Sequence, residues 1–321
     1  MVGTQFSSSS RVYCRPGGGG WRGLQPELSF LASMSHAPAD YEIVIQPSRG
    51  WFHLNWQELW NYRDLLVLLV QRDFISRYKQ TLLGPLWFIL QPLLTTAVFA
   101  IIFGRVAGIS TDGLPGPLFY LCGLLPWTYF AQNITTGGAT FVNNAGLFGK
   151  VWFPRLIVPT ATVVSNLVAF ALQLVPFVLM FVWFAISSPE FGTSAVTWRM
   201  VLTPLPLLQV ALLSLGVSLW MAAATAKYRD LMHFNQYLIQ IWMFATPIVY
   251  PLSDVPAALR WIVWINPMAV PTESFRWCLL NRGTLTPLDV LISTAFTLLL
   301  VITGVIIYQR VWLFREFLAK A

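Results

Sequence analysis

The hydrophobic pattern of the chain changes character at Gly84-Pro85. Residues 72–94 read RDFISRYKQTLLGPLWFILQPLL. In the first half, Phe74, Ile75, Tyr78 and Leu82 recur at helical spacing and share about one quarter of the helix circumference. Arg72, Asp73, Ser76, Arg77, Lys79 and Gln80 fall opposite, with Asp73 and Arg77 an acidic-then-basic i,i+4 pair. After Pro85 the chain is apolar, with no charge until Arg105. The pattern predicts a basic amphipathic helix lying on a membrane surface, a turn at Gly84-Pro85, and a helix that enters the bilayer. Residues 59–70, LWNYRDLLVLLV, form a further helical stretch too short to span, and complete one interfacial arm with it.

Six apolar runs follow, at about residues 85–103, 118–142, 156–186, 200–224, 233–250 and 288–308; a transmembrane helix needs about 20 residues, and the fifth run is near the lower limit. Between the fifth and sixth, residues 255–265 and 268–280 are shorter apolar segments parted by Asn266-Pro267. Neither crosses about 30 Å of hydrocarbon at 1.5 Å per residue. Joined, they would carry Arg260, Glu273 and Arg276 through lipid, so they read as two re-entrant half-helices. The fold class expected is an all-α integral membrane protein: six transmembrane helices, an N-terminal amphipathic interface helix and the re-entrant pair. Residues 1–40 form a leader, disordered over 1–33, with translation expected to start at Met34. Residues 41–84 hold a cytoplasmic segment and the interface helix, 85–311 the transmembrane domain, and 312–321 a cytoplasmic tail.

Composition agrees with a membrane protein. The 321 residues are 56% hydrophobic and only 10% charged, against about a quarter charged in an average soluble domain. The net charge of +7 is not gathered into a basic cluster, so no nucleic-acid partner is expected; its distribution instead sets topology. With both termini cytoplasmic, Arg63, Arg72, Arg77, Lys79, Lys150, Arg155, Lys227, Arg229, Arg310, Arg315 and Lys320 lie inside. They outnumber Arg105, Arg199, Arg260, Arg276 and Arg282 outside, as the positive-inside rule requires. Cys14, Cys122 and Cys278 have no metal or disulfide spacing.

Apart from His233 and Asp289, each at the entry to its run, no Asp, Glu, Lys, Arg or His lies between the ends of the six runs, so no proton or ion relay of the kind a coupled transporter carries is expected. A phosphate-binding loop is missing too: Gly149-Lys150 is followed by Val151, and Asn144 stands where the first glycine belongs. Uphill transport would therefore draw on a separate subunit that binds ATP and magnesium, and the chain itself is expected to hold no cofactor or metal and to have no catalytic residue. The loop NNAGLFGKVWFPRLIVP between runs two and three presents Phe148, Trp152 and Phe153 beside Lys150 and Arg155, a pattern suited to a partner's groove. The same aromatics would also suit an interfacial belt. The second loop, AKYRDL at residues 226–231, is shorter and reads as support for the first.

These residues together carry a resemblance. The arm, the LFGKVWFPRLIVP loop, AKYRDL, TPIVYP at residues 246–251 and WINP at residues 264–267 resemble the permease subunit of bacterial type-2 ABC exporters. Within that family they are most similar to the polysaccharide and O-antigen export class. The resemblance implies a homodimer in the bacterial inner membrane, bound to two copies of a separately encoded ATPase and exporting a polyprenyl-diphosphate-linked polysaccharide. It also implies that Arg72, Phe74, Arg77, Tyr78 and Lys79 form the interface helix, that Phe148, Lys150, Trp152, Phe153 and Arg155 couple to the ATPase, and that half-helices cap the outer end. A sugar channel fits Gln91 and Thr95 on run one and Gln236 and Gln240 on run five, each pair four apart, with Trp87, Tyr237 and Trp242 able to stack on pyranose rings. Helix–helix hydrogen bonds would explain the same residues. Two other functions compete: an exporter of this architecture for a teichoic-type polymer, lipid or drug, and a membrane transferase. The latter normally shows clustered Asp, Glu or His at one membrane face, whereas His233 with Asp230 and Glu273 with Arg276 fall on opposite sides.

Overall fold

A computed structural model of the chain describes residues 60–79, 81–148, 153–188, 196–256, 258, 261 and 265–320, without the side chains of Tyr78, Ala145 and residues 312–320. The leader, the Met34 start and the segment before Trp60 lie outside the described residues, as do Lys150 and Trp152. The described residues are helical, without strands. Helix α1 is Arg63–Tyr78 and α2 is Trp87–Phe99, led by a tight turn at Gly84–Leu86 and continued by a wide turn at Ala100–Val106. Then come α3 (Gly116–Gly138), the short α4 (Thr140–Asn143) and α5 (Ala145–Phe148), and α6 (Ile157–Ser187). The remaining helices are α7 (Pro204–Lys227), α8 (Leu231–Ala245), α9 (Ala269–Leu280) and α10 (Pro287–Lys320). Among the described residues, four segments are long and apolar enough to cross a membrane: Gly84–Val106, Ile157–Ser187, Trp198–Lys227 and Pro287–Val311. Of the other two expected spans, α3 has 23 residues but is less apolar, and α8 has only 15.

The weaker apolarity of α3 follows from its position. It packs against α2, α6, α7, α8 and α9, and from Leu118 to Trp127 every residue is buried. A helix sheathed by others need not dissolve in lipid, so it can carry Asn, Gln, Gly and Thr. Close approach is built from small residues: a Cβ added at Gly137 would stand 2.6 Å from the Ser218 Cβ of α7. The α7–α10 crossing is tighter still in backbone terms, since a Cβ on Gly216 would meet the Leu300 carbonyl carbon at 2.9 Å and one on Gly304 would meet the Gly216 oxygen at 2.8 Å.

The end bearing α1 is closed by an aromatic cluster. Leu69 of α1, Phe141 of α4, Phe148 of α5, Phe153, Ile157 and Ala161 at the start of α6, and Tyr308 of α10 are all buried together. The stretches before and after Arg72 form one helix, and its packed face is Leu65, Leu66, Leu69 and Val70 rather than the Phe74 face. Phe74 is only half-buried, and Ile75 and Leu82 are exposed, because the longer N-terminal half supplies the better apolar stripe. Asp73 pairs with its neighbour Arg72 at 2.8 Å, where an i,i+4 bond to Arg77 was expected. Arg72 also donates to Asn144 Oδ1 at 3.2 Å, tying the arm to the loop after α3. The expected break is present: Gly84 has φ +51°, a conformation glycine adopts without a Cβ clash, and Pro85 opens the tight turn.

At the opposite end the two motifs after α8 form one junction. Asn266 donates to the Ala245 oxygen at 3.0 Å and to Thr246 Oγ1 at 2.9 Å, and accepts from Trp242 Nε1 at 2.7 Å. Arg276 on α9 bonds Glu273 at 2.7 Å, the i,i+3 pair expected, and donates to the Pro247 oxygen at 2.9 Å. Its guanidinium lies 4.0 Å from the centre of the Phe119 ring of α3. Helix α9 has 12 residues, too few to cross hydrocarbon. Most of its expected companion, residues 255–265, lies outside the described residues.

The α7–α10 crossing gives a direct prediction. Gly216→Val should lower the thermal unfolding midpoint of the detergent-solubilised protein by the equivalent of about 1–3 kcal/mol, the usual cost of overpacking. Gly146→Ala, where an added Cβ meets nothing within 4 Å, should leave the midpoint unchanged; equal melting of the two would refute the close crossing.

Candidate functional site

The sheath around α3 is open along one stripe. Gln132 and Thr135 are its exposed residues, and Thr128, Ala131 and Thr136 beside them are half-buried. These positions, three and four apart, form a single helical face. It lies on the half of α3 nearer α4 and α5, with α2 packed along one side of the helix and α8 along another.

Helix α2 brings Gln91, exposed, and Thr95, half-buried, to this stripe. With Phe88, Thr128, Gln132 and Gln173 they line a groove of about 90 Å³ among α2, α3 and α6. Thr128 donates to Gln173 Oε1 at 3.1 Å, which fixes the groove's α6 wall. Helix α8 presents Gln236, Tyr237 and Gln240, all exposed. Gln236 and Thr135 line a second cavity, about 260 Å³, with Gly138, Thr225, Arg229, His233 and Asn235.

Immediately behind the stripe, polar groups bond to one another across helices and act as scaffold. Asn166 of α6 donates to Asn133 Oδ1 at 2.6 Å, and Asn133 donates to Ser214 of α7 at 2.8 Å. Tyr129 donates to the Val163 oxygen at 3.1 Å. This chain of bonds orients α3 so that Gln132, not Asn133, faces outward.

The outward amides are chemically exceptional in this setting. Among the described residues, Gln91, Gln132, Gln236 and Gln240 make no side-chain hydrogen bond, while the surfaces around them carry exposed Leu94, Val98, Phe234, Ile241 and Phe244. In hydrocarbon an unpaired amide costs several kcal/mol, so this face meets a polar ligand, water or a second polypeptide rather than lipid tails. A neutral stripe can exchange hydrogen bonds with hydroxyls and amides. It offers no acid, base or nucleophile, and no group of three potential metal ligands occurs among the described residues.

The structure brings some expected site residues together and separates others. Gln91 and Thr95 meet the α3 stripe, and Gln236 joins it through the second cavity. Gln240 and Tyr237 stand on the open face of α8, and Trp87, 48% exposed, lies one turn before Gln91. Trp242 is taken up by Asn266 and by edge-on contact with Phe130 at 5.1 Å. Thr128, Gln132, Thr135 and Gln173 were missed, although TYFAQNITT repeats polar residues at helical spacing.

The coupling residues need a correction. Phe148 and Phe153 are not exposed anchors; they are 7% and 2% exposed and pack on each other with ring centroids 5.9 Å apart. Arg155 donates to the Phe148 oxygen at 3.0 Å and lies over both rings, at 4.9 and 5.6 Å. The ends of the loop are thus fastened together by a half-buried cation. In the arm, Arg77 is half-buried and Arg72 and Lys79 are exposed.

Residues 64–280, which include α2, α3, α6, α7 and α8, match the ABC-2 type transporter family. The chain belongs to that family. Relatives of the ABC-2 chain include an O-antigen export system permease protein, RfbA, of Myxococcus xanthus, 34% identical over 68% of this chain and 82% of the relative. A Klebsiella pneumoniae protein of the same name is 30% identical over 77% of this chain and 92% of its own length. The polysialic acid transport protein KpsM of Escherichia coli is 22% identical over 75% and 91%. The membership implied by the motifs is therefore borne out: the chain is an ABC-2 membrane permease.

Stripe and scaffold should separate in stability measurements. Asn133→Leu orphans groups on Asn166 and Ser214 and should cost about 1–3 kcal/mol of unfolding free energy. Gln132→Leu, one residue away, should cost nothing measurable. Equal losses would mean that Gln132 has a bonded partner within the protomer.

Proposed function

We propose that this ABC-2 permease exports a polyprenyl-diphosphate-linked, O-antigen-like polysaccharide across the bacterial inner membrane as a homodimer powered by two copies of a separate ATPase. The observation that carries the reading is the neutral stripe of Gln91, Thr95, Thr128, Gln132, Thr135 and Gln236 on an otherwise apolar exterior. Two copies facing each other across their α2–α3–α8 surfaces would enclose the amides that lipid cannot satisfy, and give a path rich in exchangeable hydrogen bonds. Hydroxyl-bearing sugars suit such a path, and the names of the relatives agree.

In this arrangement α2, α3, α6, α7, α8 and α10 are the six crossings, with both termini cytoplasmic. The α8 crossing, 15 helical residues long, is completed by the Asn266 junction; α9 belongs to the re-entrant cap. ATP and magnesium belong to the partner subunit. Lys150 and Trp152 are assigned to the ATPase contact, while Phe148, Phe153 and Arg155 join the loop to α1, α6 and α10 so that they move as one body. Arg72, Phe74, Arg77, Tyr78 and Lys79 belong to an arm at the cytoplasmic interface, whose exposed Trp60, Leu68 and Ile75 would sit among lipid headgroups.

The test is export by the permease–ATPase complex reconstituted in vesicles. Gln91→Leu with Gln132→Leu should cut polymer transport on the order of tenfold, from two lost groups of about 0.5–1.5 kcal/mol each, with ATP hydrolysis retained. Undiminished export would remove the stripe from the path.

The dimer is tested separately. In a Cys14→Ser background, Tyr237→Cys on α8 should cross-link between copies, whereas Trp183→Cys on α6 should not. The reverse pattern would place the partner on the wrong face.

A further inference from the structure

The cavity where α8 follows the turn after α7 differs from the rest of the stripe. It is the larger of the two, about 260 Å³, and Arg229 and His233 line it. Both are exposed, and neither has an ion pair or side-chain hydrogen bond among the described residues. The neighbouring Asp230 carboxylate is not in the lining. The start of α8 adds the positive end of a 15-residue helix, which favours an anion. Its first amides are satisfied by the Tyr228, Arg229 and Asp230 carbonyls, so that contribution is the dipole alone.

The inner wall asks for a different ligand group. Asn235 is 4% exposed; its Nδ2 donates to the Ile134 oxygen at 3.4 Å across to α3, and its Oδ1 has no donor. A buried acceptor without a donor is rare. The cavity therefore combines the Arg229 and His233 N–H donors at the mouth with an unfilled acceptor within, and continues past Thr135 and Gln236 onto the neutral stripe. An anion alone would leave Asn235 Oδ1 empty, and a neutral sugar alone would leave Arg229 and His233 unused.

We propose that this cavity binds the glycosyl diphosphate head of a lipid-linked glycan, with the phosphates on Arg229 and His233 and a hydroxyl of the first sugar donating to Asn235 Oδ1. The proposal rests on the polysaccharide-export reading and deepens it: the charged head is caught at the mouth while the sugar chain leads along Thr135 and Gln132. The remaining stripe needs no charge because the cargo's charge stays at the mouth.

The test is ligand titration of the full-length permease in nanodiscs, using N-acetylglucosaminyl diphosphofarnesol, farnesyl diphosphate, inorganic diphosphate and farnesol. Wild type should bind the probes in that order of affinity. Arg229→Gln with His233→Gln should weaken both lipid diphosphates about tenfold or more, as expected for lost bonds to a charged group. Asn235→Leu should weaken only the sugar-bearing probe, a difference that simple unfolding would not produce. Farnesol binding as tightly as farnesyl diphosphate, or a double variant binding as wild type, would overturn the site. Release of the ATPase by the double variant with unchanged probe affinity would assign the pair to the subunit contact and overturn it equally. A wild-type complex that binds the probes yet exports no polymer would refute the export reading and leave the cavity assigned.

Discussion

An amide side chain within a hydrocarbon layer must be met by something other than lipid, and the arrangement of this bundle follows from that constraint. Helix α3, unlike α2, α6, α7 and α10, has no stretch apolar enough to count as a span by composition, and the protein resolves its polarity in two ways. Asn133 turns inward and is consumed by Asn166 and Ser214. Gln132, the next residue back, turns outward. Because successive residues on a helix point about 100° apart, fixing the first determines the second. The buried scaffold thus aims the open stripe, and the glycines that bring α7 against α3 and α10 keep that aim from drifting.

Each end of the bundle is closed by an arginine set in aromatic surroundings, half-buried at the α1 end and fully buried at the α9 end. Arg155 lies against Phe148 and Phe153 at the α1 end, and Arg276 lies against Phe119 and Glu273 at the α9 end. A buried charge gives net stability only when its partners are complete, but removing one partner is strongly destabilising. Such contacts are therefore better at fixing geometry than at adding stability. The first fastens both ends of the loop between α5 and α6, so a push on that loop reaches α10 through Tyr308 and the arm through Leu69. The second holds α9 against α3 and against the backbone after α8. The middle of the molecule, where the stripe lies, has no comparable clamp on its outer side among the described residues.

The parts of this organisation that depend on local spacing were legible in the sequence. Gln91 and Thr95 are four apart, Glu273 and Arg276 three apart, and Gly84-Pro85 marks a break in any context. What depends on tertiary neighbours was not. Phe148 and Phe153 look like exposed loop aromatics until Tyr308, more than 150 positions away, turns out to cap the same cluster. Asp73 has a suitable i,i+4 partner, yet the Arg72 guanidinium is drawn toward Asn144 and takes the carboxylate with it. The α3 stripe was hidden for another reason: its period was present, but the run read as one apolar span, and only the burial of the rest of α3 singles out Thr128, Gln132 and Thr135. Arg229 and His233 looked like part of an ordinary charged loop, since only the fold sets Asn235 and Thr135 beside them.

The neutrality of the stripe has a kinetic consequence for the proposed path. A polymer advancing through a site that grips each unit strongly must climb out of a well at every step, and each 1.4 kcal/mol of depth slows escape about tenfold. Amides and hydroxyls avoid this because one sugar hydroxyl replaces the next at nearly equal free energy, each net bond contributing only about 0.5–1.5 kcal/mol. A charge in the path would bind one group in the repeat and halt there. Strong recognition is compatible with sliding only where the chain stops once, at its end. An arginine and a histidine at the mouth, followed by a stretch with no charge, is the order that separates capture from passage, and it leaves the work of movement to a force applied from outside the path.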